Sequence, residues 1–119
     1  MALILVVDDA PDLRFMLRRV LELAGYDVVE ASDGAAAIRC VAESAPDLVV
    51  TDMMMPVMDG PELVRRLRAD ATTAHLPILA VSGDGQLAEG ADALVRKPFT
   101  GHEVVDLAKK LIVNGRAPA

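Results

Sequence analysis

Five polar side chains of this sequence stand where short apolar runs end. They supply three carboxylates, one hydroxyl and one ammonium group: Asp8, Asp9, Asp52, Ser82 and Lys97. Three carboxylates in one pocket repel one another, and some of them take up protons unless a cation neutralises them. A hard divalent ion with oxygen ligands fits such a pocket, and Mg²⁺ suits a small site that keeps bound waters. Zinc is disfavoured because no Cys/His cluster lies nearby.

A divalent cation beside Lys97 would make the pocket attractive to a phosphoryl group. Asp52 would then lie between the cation and the ammonium group, which makes it the carboxylate best placed to receive the phosphoryl group covalently. Each residue alone also has a structural explanation: Asp8 or Asp9 as a helix N-cap, Asp52 and Ser82 in turns, and Lys97 in solvent. The placement of all five at strand ends favours the chemical interpretation.

Short, continuous apolar runs alternate with amphipathic stretches along the chain. The runs predict five strands: Leu3–Val7, Val28–Val29, Asp47–Thr51, Pro77–Ser82 and Ala93–Val95. Strands that are apolar throughout are typical of parallel sheets covered on both faces. Five such βα repeats predict an α/β fold with an open, doubly wound, five-stranded parallel sheet. In the order 2-1-3-4-5, strands 1 and 3 are neighbours, and ligands bind at the carboxyl ends of the strands, where the five polar residues stand.

Apolar residues at helical spacing predict the helices between these strands. The helices run from Pro11 to a stop at Gly25, from about Gly34 to Ser44, from Pro61 to Ala69, and onward from a capping box at Thr100–Glu103. The basic cluster of Arg65, Arg66 and Arg68 is interpreted as the solvent-facing side of its helix.

Length, composition and charge limit the class of protein. A chain of 119 residues, 53% of them hydrophobic, predicts a single domain over residues 1–119 with a loose tail from about residue 114. The net charge of −6 disfavours a nucleic-acid partner. No apolar run is long enough to span a membrane and no secretory signal begins the chain, so we expect a cytoplasmic protein without a membrane partner. Cys40 stands alone, which excludes an intramolecular disulfide.

Four motifs make the sequence similar to a known family: "VVDDAPD", "VVTDMMMPVMDGPEL", "VSG" and "GADALVRKPF". The sequence resembles the receiver domain of bacterial two-component response regulators, and is similar to the single-domain regulator of chemotaxis. The resemblance covers essentially the whole chain. It implies the flavodoxin-like order 2-1-3-4-5 and a signalling protein that assists its own phosphorylation and dephosphorylation but has no independent substrate turnover.

The resemblance also implies a role for each matching acidic residue. Asp52 is expected to accept a phosphoryl group from the phosphohistidine of a histidine kinase or a phosphotransfer protein. Asp9 and Asp52 are expected to bind Mg²⁺ together with the backbone carbonyl of Met54, while Asp8 contributes through bound water. Lys97 is expected to pair with Asp52 at rest and with the phosphoryl oxygens afterwards.

Further expectations concern the groups around the phosphoacceptor. The resemblance implies that the Ser82 hydroxyl reorients toward the phosphoryl group and that Gly83 leaves space for that group to enter. It also implies a cis peptide bond between Lys97 and Pro98. The side chains of Met53–Met55 are interpreted as adaptable filler under the active-site loop.

The segment between Ser82 and Lys97 departs from the family pattern. It is shorter than in the family by about two helical turns. A parallel crossover with its helix needs at least about 10–12 residues, and here only Gln86–Glu89 offers a helical turn, so we expect the fourth helix, between strands 4 and 5, to be shortened or missing. Leu94 also stands where the family usually carries a switching Tyr or Phe. Both changes fall on the surface that commonly transmits the signal.

Three hypotheses follow. The first is a phosphorylatable receiver whose downstream protein partner, still to be identified, binds an atypical surface. The second is a non-switching interaction module or a phosphate sink in a phosphorelay. The third is a Mg²⁺-dependent phosphatase that forms an aspartyl phosphate. It is disfavoured because the nucleophile of such enzymes usually ends strand 1 in an Asp-x-Asp pattern, whereas strand 1 is followed here by Asp8-Asp9.

Overall fold

A computed structural model describes residues 2–55, 57–83 and 89–115 of the chain. Within these residues the strands are β1 (Leu3–Val7), β2 (Asp27–Ala31), β3 (Leu48–Asp52), β4 (Ile78–Ser82) and β5 (Ala93–Arg96). The helices are α1 (Pro11–Leu23), α2 (Gly34–Ser44), α3 (Gly60–Ala69) and α4 (Gly101–Asn114). All neighbouring strands are parallel, in the order β2-β1-β3-β4-β5, which confirms the predicted architecture. Among the described residues, no helix has the length and apolar character that a membrane span requires.

The sheet is covered on both faces, as its continuously apolar strands predict. Strands β3 and β4 are buried at every position. Helices α1 and α4 pack on one face, where Leu17 and Val104 join the core. Helices α2 and α3 pack on the other, through Val41 and Leu63 among others. The two layers leave the carboxyl ends of the strands as the open edge at which the polar residues lie.

Side-chain caps begin three of the helices. Asp33 accepts a hydrogen bond from the Ala36 N–H, Asp59 from the Glu62 N–H, and Thr100 from the Glu103 N–H. Each bond satisfies one of the backbone donors that a helix N-terminus leaves without an intrahelical partner. These caps fix where α3 and α4 begin, and α3 and α4 follow the two strands that end at Asp52 and near Lys97.

Four strands differ in their bounds from the sequence-based prediction. Two of them differ by one residue, since β4 begins at Ile78 rather than Pro77 and β5 ends at Arg96 rather than Val95. Strand β2 is longer than Val28–Val29, because pairing with β1 extends the ladder from Asp27 to Ala31. Strand β3 begins one residue later than predicted and includes Asp52, which is aligned with Val81 of β4. The phosphoacceptor candidate is therefore the last residue of a buried strand rather than the first residue of a loop.

The connection between β4 and β5 contains no helix in residue 83 or in residues 89–92. Most of the predicted turn at Gln86–Glu89 falls in residues 84–88, outside the described residues. The tail predicted from about residue 114 is helical at Asn114, and residues 116–119 also lie outside the described part of the chain. Leu94 lies on β5, aligned with Ala80 of β4, and is half-buried.

The prediction that Arg68 faces solvent is wrong. Its side chain is 14% exposed and pairs with Asp92, whose side chain is 3% exposed, at 2.9 Å. The same guanidinium donates to three backbone carbonyls, those of Ala74, Leu76 and Gly90. Arg68 therefore ties the end of α3 to the segment that enters β5, whereas Arg65 and Arg66 are exposed as predicted.

Candidate phosphoryl-acceptor and metal site

Three carboxylates meet at the carboxyl edge of the sheet. Asp8 and Asp9 follow β1, and Asp52 ends the neighbouring strand β3, since Val7 is aligned with Thr51. One carboxylate oxygen from each of the three lies within 4.8 Å of the other two. Asp8 and Asp52 are buried, with exposures of 1% and 5%, while Asp9 is exposed. The structure thus brings together the acidic residues that the sequence placed at two strand ends.

Among the described residues, the buried carboxylate of Asp8 accepts one hydrogen bond. Its Oδ1 accepts the Ala10 N–H at 2.9 Å, and its Oδ2 is buried without a hydrogen-bond partner among the described residues. Burial raises the pKa of Asp8, the Ala10 hydrogen bond lowers it, and the nearby charge of Asp52 raises it further. A buried carboxylate with one oxygen unpartnered among the described residues, in a cluster with two other carboxylates, fits a hard cation such as Mg²⁺.

Neither Asp8 nor Asp9 is the N-cap of α1. The N-cap residue is Ala10, which makes no side-chain capping bond, and Pro11 occupies the first turn. The structural explanation considered for this acidic pair is therefore wrong. Each carboxylate contributes an oxygen to the cluster, and Asp8 Oδ1 accepts a hydrogen bond from the N-cap residue Ala10 rather than from an N–H within α1.

Lys97 lies beside the predicted acceptor. Its Nζ is 3.3 Å from Asp52 Oδ1, and its side chain is 32% exposed, so the lysine is not simply solvated. The Lys97 N–H donates to the Ser82 carbonyl at 2.9 Å, which fixes the lysine backbone to the end of β4. The Lys97–Pro98 bond is cis, as predicted.

Ser82 and Gly83 lie at the carboxyl end of β4, the strand next to the one that ends at Asp52. Ser82 ends that strand and is 2% exposed. Its neighbour in the sheet, β3, ends at Asp52, which is aligned with Val81. A Cβ built on Gly83 would meet no atom of the described residues within 4 Å. The hydroxyl residue therefore lies on the strand next to the acceptor, and the open space lies at the residue that follows that strand.

The loop after β3 is held close to Asp52. The Met54 N–H lies 3.4 Å from Asp52 Oδ1, and the Gly60 N–H donates to the Met53 carbonyl at 3.1 Å. A Cβ on Gly60 would stand 2.6 Å from the Asp52 carbonyl oxygen, so only glycine lets α3 begin this close to the strand. The interpretation of Met53–Met55 as filler is partly wrong, because Met53 is buried whereas the Met54 side chain is 75% exposed.

Sequence reasoning did not identify Arg14 as part of this region. Its Nη1 donates to the Asp8 carbonyl at 2.8 Å, and its Nε donates to Glu30 at 2.8 Å. The sequence shows only a basic residue one turn into the first helix. Its partners, Glu30 on β2 and Asp8 directly after β1, become neighbours only in the folded chain.

Comparison with known proteins identifies the family. The family model of the response regulator receiver domain matches residues 4–109. The chain is 36% identical over 116 residues to the phosphate regulon transcriptional regulatory protein PhoB of Pseudomonas aeruginosa, a match that covers 92% of this chain and 51% of that protein. The chain therefore spans about half the length of this relative.

Solved structures give the same answer. A response regulator receiver domain protein from Clostridium thermocellum superposes with a TM-score of 0.87 at 29% identity, covering 96% of both chains. The receiver domain of the sensor histidine kinase PA1611 from Pseudomonas aeruginosa PAO1, described with a magnesium ion coordinated in the active site cleft, has a TM-score of 0.87 at 26% identity, covering 94% of this chain and 98% of that one. The chain belongs to the response regulator receiver domain family. This membership favours the receiver interpretation over an aspartyl-phosphate phosphatase.

Proposed function

We propose that this chain is a phosphorylation-dependent signalling receiver in which Asp52 accepts a phosphoryl group from a histidine kinase or a phosphotransfer protein. The observation that carries the proposal is the contact of the buried Asp52 carboxylate with Lys97 at 3.3 Å, inside a cluster of three carboxylates. In the proposed transfer, an Asp52 carboxylate oxygen forms a bond to phosphorus. The phosphorus–nitrogen bond of the donor phosphohistidine breaks, and the leaving imidazole takes up a proton.

The proposed cofactor is Mg²⁺, bound by Asp9 and Asp52 with the backbone carbonyl of Met54, and by Asp8 through water. Asp8 Oδ2, which has no hydrogen-bond partner within the part of the chain that the structure describes, and the mutual repulsion of the carboxylates support this assignment. Bound there, Mg²⁺ would neutralise the carboxylates and the negative charge of the phosphoryl oxygens. No independent substrate turnover is part of the proposal.

Two further side chains are assigned to the phosphoryl group itself. Lys97 exchanges its contact with Asp52 for one with a phosphoryl oxygen, which keeps an opposite charge beside the new anion. The hydroxyl of Ser82 donates a hydrogen bond to the same group. The open space beside Gly83, the exposed residue that follows β4, supports entry of the phosphoryl group at this end of the strand.

The acceptor assignment is tested by phosphorylation with acetyl phosphate and Mg²⁺. Asp52→Asn should abolish incorporation of the phosphoryl group while leaving the fold intact. The matched control is Asp59→Asn, since Asp59 is a nearby exposed carboxylate that caps α3 and asparagine serves equally well at an N-cap. Equal labelling of Asp52→Asn and wild type would show that the acceptor is a different residue.

A non-switching module or phosphate sink is the second candidate, and Leu94 favours it. A leucine on β5 has no ring to rotate and no hydroxyl to bond when Ser82 moves. Amide chemical shifts of the free protein and of the Mg²⁺–beryllofluoride form separate the two functions. Changes confined to the pocket would favour the sink, whereas changes that spread along β5 and into α4 would favour a receiver that signals to a downstream protein partner.

A further inference from the structure

Arg14 connects helix α1 to the backbone of the acidic pair. Its side chain is 21% exposed and carries two directed hydrogen bonds. Nη1 donates to the Asp8 carbonyl at 2.8 Å, and Nε donates to Glu30 Oε1 at 2.8 Å. The second oxygen of Glu30 pairs with Arg18 at 2.7 Å. The guanidinium of Arg14 is therefore fixed by an acceptor on β2 while it holds an acceptor beside the carboxylate cluster.

The carbonyl that Arg14 holds belongs to the peptide group joining Asp8 to Asp9. This peptide lies beyond the last residue of β1, where the strand ladder no longer determines its orientation. In the preceding peptide group, which joins Val7 to Asp8, the Asp8 N–H donates to the Ala31 carbonyl at 3.2 Å. The backbone of Asp8 is thus held to β2 at both ends, directly through Ala31 and indirectly through Arg14 and Glu30.

We propose that Arg14 is a positioning residue for the metal ligands: by fixing the Asp8–Asp9 peptide it sets the separation of the two carboxylates before the cation binds. Groups that orient metal ligands commonly change metal affinity by about 10–100-fold when they are removed. An arginine suits this role because its planar guanidinium directs donors to two acceptors at once in a fixed geometry. The donors of a lysine ammonium group have no such fixed directions. This inference rests on the proposed function, since it takes the cluster to be a Mg²⁺ site.

The positive charge of Arg14 allows its positioning effect to be distinguished from its effect on the local field. A cation near the site repels a second cation, so removal of the Arg14 charge alone would strengthen Mg²⁺ binding. Loss of positioning would weaken Mg²⁺ binding. The sign of the change in affinity therefore separates the two effects.

The experiment compares Arg14→Gln with Arg18→Gln. Both arginines lie on α1 and both pair with Glu30, but only Arg14 contacts the Asp8 carbonyl. Mg²⁺ affinity is measured in the absence of any phosphoryl donor, by titration of amide chemical shifts. Arg14→Gln should raise the dissociation constant about tenfold or more, and Arg18→Gln should leave it within error of wild type. An unchanged or lower dissociation constant for Arg14→Gln would overturn the inference.

Arg14→Lys provides the second variant and retains the positive charge. It should weaken Mg²⁺ binding by less than Arg14→Gln but measurably, because one ammonium group does not reproduce the planar guanidinium. If Arg14→Gln fails to fold, Arg14→Lys decides, and wild-type affinity in that variant would contradict the positioning role. Failure of the proposed function looks different, since the wild type itself would then bind no Mg²⁺ or would be phosphorylated at a residue other than Asp52.

Discussion

The buried pair between Arg68 and Asp92 allows a quantitative prediction about the connection between β4 and β5. Asp92 Oδ2 accepts the Arg68 guanidinium at 2.9 Å and the Ile78 N–H at 2.8 Å. Asp92→Ala removes both bonds. Loss of a hydrogen bond to a charged group costs about 1.5–3 kcal/mol, and a buried backbone donor left unpaired costs about 1–3 kcal/mol.

These terms predict that Asp92→Ala lowers the free energy of unfolding by about 3–5 kcal/mol, the range observed when one partner of a buried ion pair is removed. A domain of this size is stable by about 6–18 kcal/mol, so the variant should remain folded but lose a substantial part of its stability. Because Asp92 lies directly before β5, the same loss should loosen the strand that leads to Lys97.

Urea denaturation followed by far-UV circular dichroism measures the effect. With a slope of about 1–3 kcal/mol per molar urea, the midpoint should fall by about 2 M. The control is Lys110→Gln, which breaks an i,i+4 pair with Asp106 whose side chains are 64% and 53% exposed. Exposed helical pairs of this kind contribute about 0.3–0.5 kcal/mol. If Asp92→Ala were no less stable than Lys110→Gln, the connection would not depend on this pair and the reasoning would be refuted.

Two further predictions concern the acceptor loop and the acid stability. Gly60→Ala should destabilise the protein by about 1–3 kcal/mol and slow phosphorylation of Asp52, because its Cβ would collide with backbone atoms, whereas Gly83→Ala should leave the urea midpoint unchanged. Equal midpoints for these two variants would contradict the close approach of α3. The hydrogen bond from Arg18 lowers the pKa of Glu30, so Glu30 stabilises the fold above the ordinary glutamate pKa and loses this effect as the pH falls through its lowered value. The difference in stability between wild type and Glu30→Gln should therefore be largest near pH 7 and shrink below about pH 4, and a difference independent of pH would contradict this role.

Much of the site could be predicted because its residues stand at strand ends. Asp52, Ser82 and Lys97 each follow or end a short apolar run, and parallel strands bring their carboxyl ends to one edge. Helix starts could also be predicted, since Pro11 and the Thr100 cap favour a helix start through contacts within a few residues of the chain. Strand ends and helix starts depend on residues close together in the sequence, so the hydrophobic periodicity of the chain is enough to predict where they lie.

The remaining features depend on contacts between distant parts of the chain. Arg68 looked solvent-exposed because a charged residue on a helix usually is, yet its acceptors come from the segment after α3 and from the entry to β5. The role of Arg14 depends in the same way on Glu30, which joins β2 only because pairing with β1 extends that strand. Helical spacing carries no information about such partners.

Identification of the phosphorylated residue is the first measurement needed to test whether Asp52 is the phosphoacceptor. The wild-type protein would be treated with acetyl phosphate and Mg²⁺, the acyl phosphate trapped by borohydride reduction, and the modified residue located by peptide mass spectrometry. We expect a single modified position, Asp52, and no modification when Mg²⁺ is removed. Modification at Asp8, Asp9 or another carboxylate in place of Asp52 would contradict this assignment.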